Sequence, residues 1–420
     1  MTGNNIASTM GAGNAGDARN TPKDKGRKAQ GNAAGLNRAI LACAIVSVLG
    51  LVLYGVELAN GMALTGMRNL DSWGLYIMGF MFFVGLGSGC LAVAAFPRLV
   101  GRPLPIDAER TFCWAGLCAM LLAGILIVVD LGQPMRMYEL FASANMSSPL
   151  MWDVLAVGLF IVVAVVYLAF LRRFEDGRST AAAMRVMSGV ACGAALVVIT
   201  VDAWIFGLQH GREMWSTALL GPWFATSALL SGVAFAIVAQ AVAGKAGRGI
   251  LPDGVAATLY KVLGALACID AYCFLCDLVT SGYGDGAVAG MLLAGPLAPL
   301  FWLQMACLAL CAVVCFVPKL RCRPLAIAAP IAALAAAFLK RAELVVGGFQ
   351  LPQLEWAGPM SGYTITDASG TLAQAYAGMV YAPTPLEVGV FLGMVGVGSL
   401  VFCLGMKYLP GMRGAASEKE

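Results

Sequence analysis

Ionisable side chains stand inside long apolar stretches of this 420-residue chain: Glu57, Asp130, Asp153, Asp202, Asp270, Asp277, Lys340, Arg341, Glu343 and Glu387. A charge at the centre of a membrane-crossing helix costs about 2.5–3.5 kcal/mol on insertion scales, so each one retained marks a partner or a function. Buried carboxyl groups accept and release protons, the chemistry that a hydroxyl-bearing redox substrate requires of its site. All but Asp270 project onto the outer third of their helices, so seven helices aim ionisable groups at one layer. Asp270, near the middle of the seventh helix, precedes Asp277 by seven residues, which at 100° per residue places both on nearly the same face. Two readings of that pair stand side by side: successive steps of a proton path, or interhelical bonds to Lys340 or Arg341. Asp130, Asp153 and Glu387 also lie near helix ends, where snorkelling into the headgroups is the plainer reading. In the ninth helix Lys340 and Glu343 are three residues apart, and Arg341 on the adjacent face needs an acid from another helix, for which Asp277 is the candidate by depth.

The elements that must position these groups follow from composition. Hydrophobic residues make up 60% of the chain and charged ones 12%, against about one quarter charged in a soluble domain, so lipid is the solvent that fits. Apolar runs of spanning length predict helices near 37–60, 73–96, 110–131, 150–172, 183–206, 219–243, 255–279, 291–316, 323–347 and 385–408. The fold class is thus an all-α polytopic membrane protein of about ten transmembrane helices. Residues 1–36, rich in Gly, Asn, Ala, Lys and Arg, read as a disordered tail, and the run from Leu36 reads as a retained helix rather than a cleaved signal peptide.

Lys and Arg collect in alternate loops: all but five of the 27 fall on one side, the exceptions being Arg68, Arg136 and Arg212 opposite and Lys340 and Arg341 within a helix. The positive-inside rule then places both termini, including 409–420, in the cytoplasm and the cation-free segment 348–384 outside. An internal duplication is also expected. Ser88-Gly89 answers Ser231-Gly232, Asp130-Leu131 answers Asp277-Leu278, and Pro149-Leu150-Met151-Trp152 answers Pro299-Leu300-Phe301-Trp302, at separations of 143, 147 and 150. This predicts two parallel four-helix bundles, helices 2–5 over 73–206 and helices 6–9 over 219–347, flanked by helix 1 at 37–60 and helix 10 at 385–408. Gly85 and Gly89, like Gly389 and Gly393, share a helix face, as close helix packing in lipid wants; a flat wall for a planar ligand is the other reading.

Ligands for intrinsic electron carriers are missing. The one histidine, His210, lies in an outer loop, so bis-histidine haem is excluded, and no Cys-x-x-Cys-His run exists. Twelve of the 13 cysteines sit in apolar segments, and the Cys273/Cys276 spacing has no second pair to complete a metal site. If the chain handles electrons, its substrate is itself a lipid-soluble carrier that passes them to a partner's cofactor.

The run Asp130-Leu131-Gly132-Gln133-Pro134-Met135-Arg136, followed by Ser147-Ser148-Pro149-Leu150-Met151-Trp152, resembles the outer-loop signature of the NrfD/PsrC-like family, the membrane subunits of polysulfide reductase and related complexes. Trp73-Gly74 leading to Phe83 through Gly89, and Trp215 through Gly232, are similar to it as well. Gly295 through Trp302, Lys340-Arg341 and Tyr381-x-Pro383-Thr384-x-x-Glu387 resemble the ten-helix branch, which includes membrane subunits of periplasmic hydrogenases and sulfate-reducer complexes. The resemblance implies a menaquinone or ubiquinone site near the outer face, with no haem or iron–sulfur cluster in this chain. It also implies a four-cluster iron–sulfur ferredoxin-like partner outside, a molybdopterin or other catalytic subunit, and residence in a bacterial cell membrane. No nucleic-acid partner is expected. In that reading quinol binds among helices 2 to 5, with Trp73, Tyr76, Phe80, Trp152 and Arg136 forming the site and Asp130 or Asp153 handling protons; Glu57, Asp202, Asp270, Asp277, Lys340, Arg341, Glu343 and Glu387 form a proton path or buried charge network. A secondary transporter and a passive membrane anchor are the rival readings.

Overall fold

A computed structural model describes residues 22–67, 71–245, 250–284, 286–350 and 381–409. Among these the structure is all-helical, and ten helices are long and apolar enough to cross a membrane. In chain order they are α1 (Pro22–Asn60), α2 (Leu75–Leu99), α3 (Ile106–Asp130), α4 (Pro149–Glu175), α5 (Ala181–Gly207), α6 (Leu220–Lys245), α7 (Asp253–Tyr283), α8 (Ala298–Phe316), α9 (Arg323–Gln350) and α10 (Pro385–Tyr408). Short helices over Glu139–Ala142 and Ala287–Leu293 lie in connections.

Two boundaries depart from expectation. Helix α1 begins at Pro22, so the segment assigned to a disordered tail is helical from that residue; proline suits a first turn, and the Lys, Arg, Gln and Ala that follow are good helix formers. The run expected as one helix from 291 to 316 is broken at Gly295-Pro296 into the short Ala287–Leu293 helix and α8, because proline clashes with the preceding turn. Residues 1–21 and most of the 348–384 segment fall outside the described residues, although 348–350 complete α9.

Packing closes two rings. Helices α2, α3, α4 and α5 touch in sequence and α5 returns to α2; α6, α7, α8 and α9 do the same, and the rings meet where α2 packs on α6 and α9 and α5 packs on α6. Helix α2 is consequently buried along most of its length, while α1 presents Leu41, Ile45, Leu49 and Val52 outward. Helices α1 and α10 pair with each other and α10 rests mainly on α3, the backbones of the pair meeting at Gly50 and Gly393, where an added methyl group on either would overlap the other.

The end at which α1 and the other odd-numbered helices finish is called the top. At the opposite end the buried pair Arg98–Glu109 (2.9 Å) joins α2 to α3, with the Tyr167 hydroxyl 3.5 Å from the same carboxylate, and Arg110 reaches Glu175 of α4 at 2.5 Å. These bonds lock the lower end of the first ring, leaving the top for chemistry.

Candidate functional site

Three groups of side chains occupy the top. The first lies between the first ring and the flanking pair α1/α10. Tyr76, fully buried on α2, donates to Glu57 Oε2 at 2.6 Å. Glu387 of α10 accepts from Gly66 N and Leu75 N, each at 3.0 Å, and from the Tyr381 hydroxyl, which itself accepts from Leu75 N at 2.7 Å. Leu75 carries the first amide of α2, so a carboxylate from another helix caps an N-terminus whose orphan N–H groups and dipole favour it. Gly74 is required here: a methyl group would sit 2.6 Å from Tyr381 Oη and 2.8 Å from Glu387 Oε1. Burial, then the bond to Glu387, pushes the Tyr381 hydroxyl well above the ordinary phenol range, so it stays a donor. Asp130 closes α3 within electrostatic reach of Glu387 and Glu57, and its Oδ1, with Glu57 Oε1 and the Tyr54 hydroxyl, is buried without a hydrogen-bond partner among the described residues.

The second group spans the junction of the rings. Asp153 (α4) and Asp202 (α5) are buried electrostatic neighbours, and Arg341 (α9) is the cation that faces Asp202. Arg341 donates to Ser227 Oγ and, at 3.1 Å, to the Ala337 carbonyl, and its guanidinium carbon lies 4.9 Å from the centre of the Phe224 ring. Gly85 leaves room for it, since a methyl group there would meet Nη2 at 3.1 Å. Lys340 points its ammonium at the Trp223 and Phe274 rings, 3.4 and 4.2 Å from their centres; such desolvated contacts are worth roughly 2 kcal/mol and offset part of the cost of burying the charge. Glu343 is buried, and Gln304 of α8, with its amide turned to donate, reaches its two oxygens at 3.1 and 2.9 Å.

The third group caps the second. Trp73 stacks on Trp215 at 5.4 Å and 18°, Phe206 and Phe349 meet both edge-on, and Trp215 Nε1 donates to the Leu344 carbonyl at 2.6 Å. Arg212 lies over the Phe349 ring at 4.3 Å and donates to the Gly348 carbonyl at 2.5 Å. Asp71 is buried beside this cap; burial raises its carboxyl above the usual range while the Arg212 charge pulls it back.

The expected site residues therefore separate. Asp130 joins Glu57, Tyr76 and Glu387, whereas Asp153 joins Asp202, Arg341, Asp270, Lys340 and Glu343. Asp153 and Glu387 are buried rather than snorkelling, and Asp130 keeps one oxygen in the interior. The pairing of Arg341 with Asp277 expected from depth does not form. Asp270 and Asp202 are the acids within reach of Arg341, while Asp277, half-buried on α7, lies within reach of Lys340. Phe80 is buried one turn below Tyr76. Trp152 is half-buried, donating to the Met146 carbonyl at 2.7 Å, and Arg136 is exposed and held by Glu139 at 2.8 Å, apart from the buried layer. Sequence reasoning missed Tyr54, three residues before Glu57 and so on its face; Ser227 and Gln304, polar residues within spanning helices; and Asp71 and Arg212, which stand in loops. His210 rims a cavity of about 530 Å³ between α5 and α6, with Nδ1 3.2 Å from Ser216 Oγ. A second groove, of about 390 Å³, opens between α1, α3, α4 and α10.

Ten spanning helices with a layer of ionisable groups buried beneath one end define a polytopic helical membrane protein. The chain belongs to the NrfD polysulphide reductase family, whose model matches residues 63–353. It is 31% identical over 402 residues to a putative membrane subunit of dimethyl sulfoxide reductase from Halobacterium salinarum, covering 89% of this chain and 91% of that protein. It is 25% identical to an Hdr-like menaquinol oxidoreductase integral membrane subunit of Archaeoglobus fulgidus, over 49% of this chain and 51% of that one. A selenate reductase subunit of Mesobacillus selenatarsenatis is 26% identical over 31% of this chain and 30% of its own length.

Proposed function

We propose that this chain is the quinol-reacting membrane subunit of a respiratory oxidoreductase complex, exchanging electrons between membrane quinone and an iron–sulfur partner docked on its top face, with that face outside the cell. The family, the kinds of complex that its relatives' names describe, and the position of the ionisable layer support the reading. The single observation that carries the site is the carboxyl–tyrosine group of Glu57, Asp130, Glu387, Tyr76 and Tyr381, which no lysine or arginine among the described residues neutralises.

A quinol oxidised to quinone releases two protons and two electrons. The electrons leave one at a time to the partner's clusters, and the protons need bases within hydrogen-bond reach of the ring hydroxyls. Asp130 is the base on this reading, because it offers an unpartnered carboxyl oxygen, and Glu57, already bonded to Tyr76, passes the proton on. Tyr76 and Phe80 form the wall on the α2 side. The Asp153–Asp202–Arg341–Asp270 series, continued by Lys340 and Glu343, forms a buried charge network between the rings, with Asp277 at its edge and the Trp73 cap above it. Menaquinone and ubiquinone both satisfy this chemistry, and the complex is completed beyond the iron–sulfur protein by a molybdopterin or other catalytic subunit. Both termini then lie in the cytoplasm, and residues 73–206 and 219–347 form the two bundles of the expected duplication.

In the assembled complex, Asp130→Asn should lower quinol-driven turnover by about 10²-fold or more, the usual contribution of a general base. Undiminished turnover in a complex of normal composition would remove Asp130 from the mechanism.

A further inference from the structure

We propose that the groove between α1, α3, α4 and α10 is a lateral seat for quinol, holding the ring at Tyr54, Glu57 and Asp130 and the isoprenoid tail along the wall below. The inference rests on the quinol reading above and gives the flanking pair α1/α10 a role in it. The groove, of about 390 Å³, is of the size that takes a ligand, and its lining is almost wholly apolar: Leu51 from α1, Leu121, Ile125 and Val128 from α3, Ile161 from α4 and Met394 from α10. Tyr54 is its polar member. Along α1, Glu57 follows Tyr54 by one turn, and along α3, Asp130 follows Val129, another lining residue, so the groove's upper end runs into the carboxyl–tyrosine group.

Three buried atoms at that end lack any hydrogen-bond partner among the described residues: the Tyr54 hydroxyl, Glu57 Oε1 and Asp130 Oδ1. A buried polar atom left unmatched is costly to the fold, so the three suit a ligand that supplies the missing bonds. Two of the three are carboxyl oxygens and no lysine or arginine among the described residues bears on them, so the seat favours a hydrogen-bond donor and disfavours a phosphate headgroup. A ring with two hydroxyls on a hydrocarbon tail matches both halves of the groove. The larger cavity beside His210 shows no unmatched buried atom among its lining residues and makes no comparable demand.

The test uses the whole complex in nanodiscs and a photoreactive quinone analogue. Gly124 lines the groove and has nothing within 4 Å of an added side-chain carbon, so Gly124→Phe starts its side chain in open space and obstructs the groove; Gly221→Phe does the same in the cavity beside His210. The expected result is photolabel on peptides of α1 and α3, lost in Gly124→Phe and kept in Gly221→Phe, with KM for a short-chain quinol raised about tenfold in the first and unchanged in the second. Label and turnover unaffected by Gly124→Phe, with label placed elsewhere, would overturn the seat and leave the quinol reading standing. Absence of quinone label and of quinol-driven turnover in the assembled complex would overturn both. Discs with and without phosphatidylethanolamine separate the remaining ligand: displacement of the analogue by the ammonium lipid at ordinary membrane content would mark a lipid seat and overturn the assignment to quinol.

Discussion

Gly89 of α2 and Gly232 of α6 meet backbone to backbone, so that a methyl group on either would overlap main-chain atoms of the opposite helix. Each follows a serine in the dipeptide that recurs 143 residues apart, so the two Ser-Gly steps face each other where the rings meet. In lipid such proximity is how helices gain dispersion contacts without a hydrophobic drive between them.

The sign of a glycine substitution should depend on its neighbours. Gly89→Ala forces the rings apart and should destabilise by about 1–3 kcal/mol. Gly158→Ala on α4, where nothing lies within 4 Å, relieves only the entropic cost of glycine and should stabilise by about 0.5–1 kcal/mol. Thermal unfolding of the two variants in detergent should therefore shift Tm in opposite directions. Equal shifts would mean that the α2–α6 approach is looser than described.

Arg341 should couple to Asp270 and not to Asp277. Arg341 and Asp270 are buried charges that act on each other through space without a direct bond, and stranding either one costs on the order of a few kcal/mol. Arg341→Ala should accordingly cut folded yield or thermal stability severely, and Asp270→Asn in the same chain should restore part of the loss. Asp277→Asn should add its own effect without rescue. A double-mutant cycle measures the coupling, and additivity at Asp270 would break the proposed link between α7 and α9 within the second ring.

The lower clamp offers a purely structural contrast. Glu109 is fully buried, holds Arg98 at 2.9 Å and lies 3.5 Å from the Tyr167 hydroxyl. Glu109→Ala should lose about 3–5 kcal/mol of stability. A complex that still assembles should turn over quinol with unchanged KM, because the clamp lies at the opposite end from the site. A raised KM with normal stability would place the clamp in the mechanism instead.

Ten spans and a layer of buried charge were legible because hydropathy and the cost of charge in lipid act on each helix separately. What lay beyond reach was pairing. Depth along a helix favoured Asp277 for Arg341, but depth does not give azimuth; α5 and α7 bring Asp202 and Asp270 within reach of Arg341, and α7 leaves Asp277 beside Lys340. Asp130 and Asp153 looked equivalent for the same reason, each an acid near the top of its helix, yet they belong to different groups. Glu387 read as a helix-end acid because nothing in sequence shows that Leu75 N needs a cap from a residue 312 positions away. Tyr54 is the instructive omission: its spacing from Glu57 was visible, but only the groove gives the hydroxyl a purpose.

Asp71 and Arg212 give a prediction in pH. Burial raises the Asp71 carboxyl above its ordinary value, near 3.9, and the Arg212 charge opposes that rise. A raised acid binds its proton more tightly in the folded chain than in the unfolded one. Its contribution to stability is therefore fully present below the ordinary value and is lost as pH climbs through the folded one. Arg212→Gln removes the opposing charge, so the folded value climbs further and the loss at neutral pH deepens. The same change also removes the bond to the Gly348 carbonyl and the ring contact with Phe349, a loss that does not depend on pH. Unfolding temperatures of wild type and variant should differ modestly near pH 4 and by clearly more near pH 7, and adding Asp71→Asn should flatten the difference across that range. A gap between wild type and Arg212→Gln that stays constant with pH would show that Arg212 braces the cap through its rings and carbonyl alone, and that its charge does not act on Asp71.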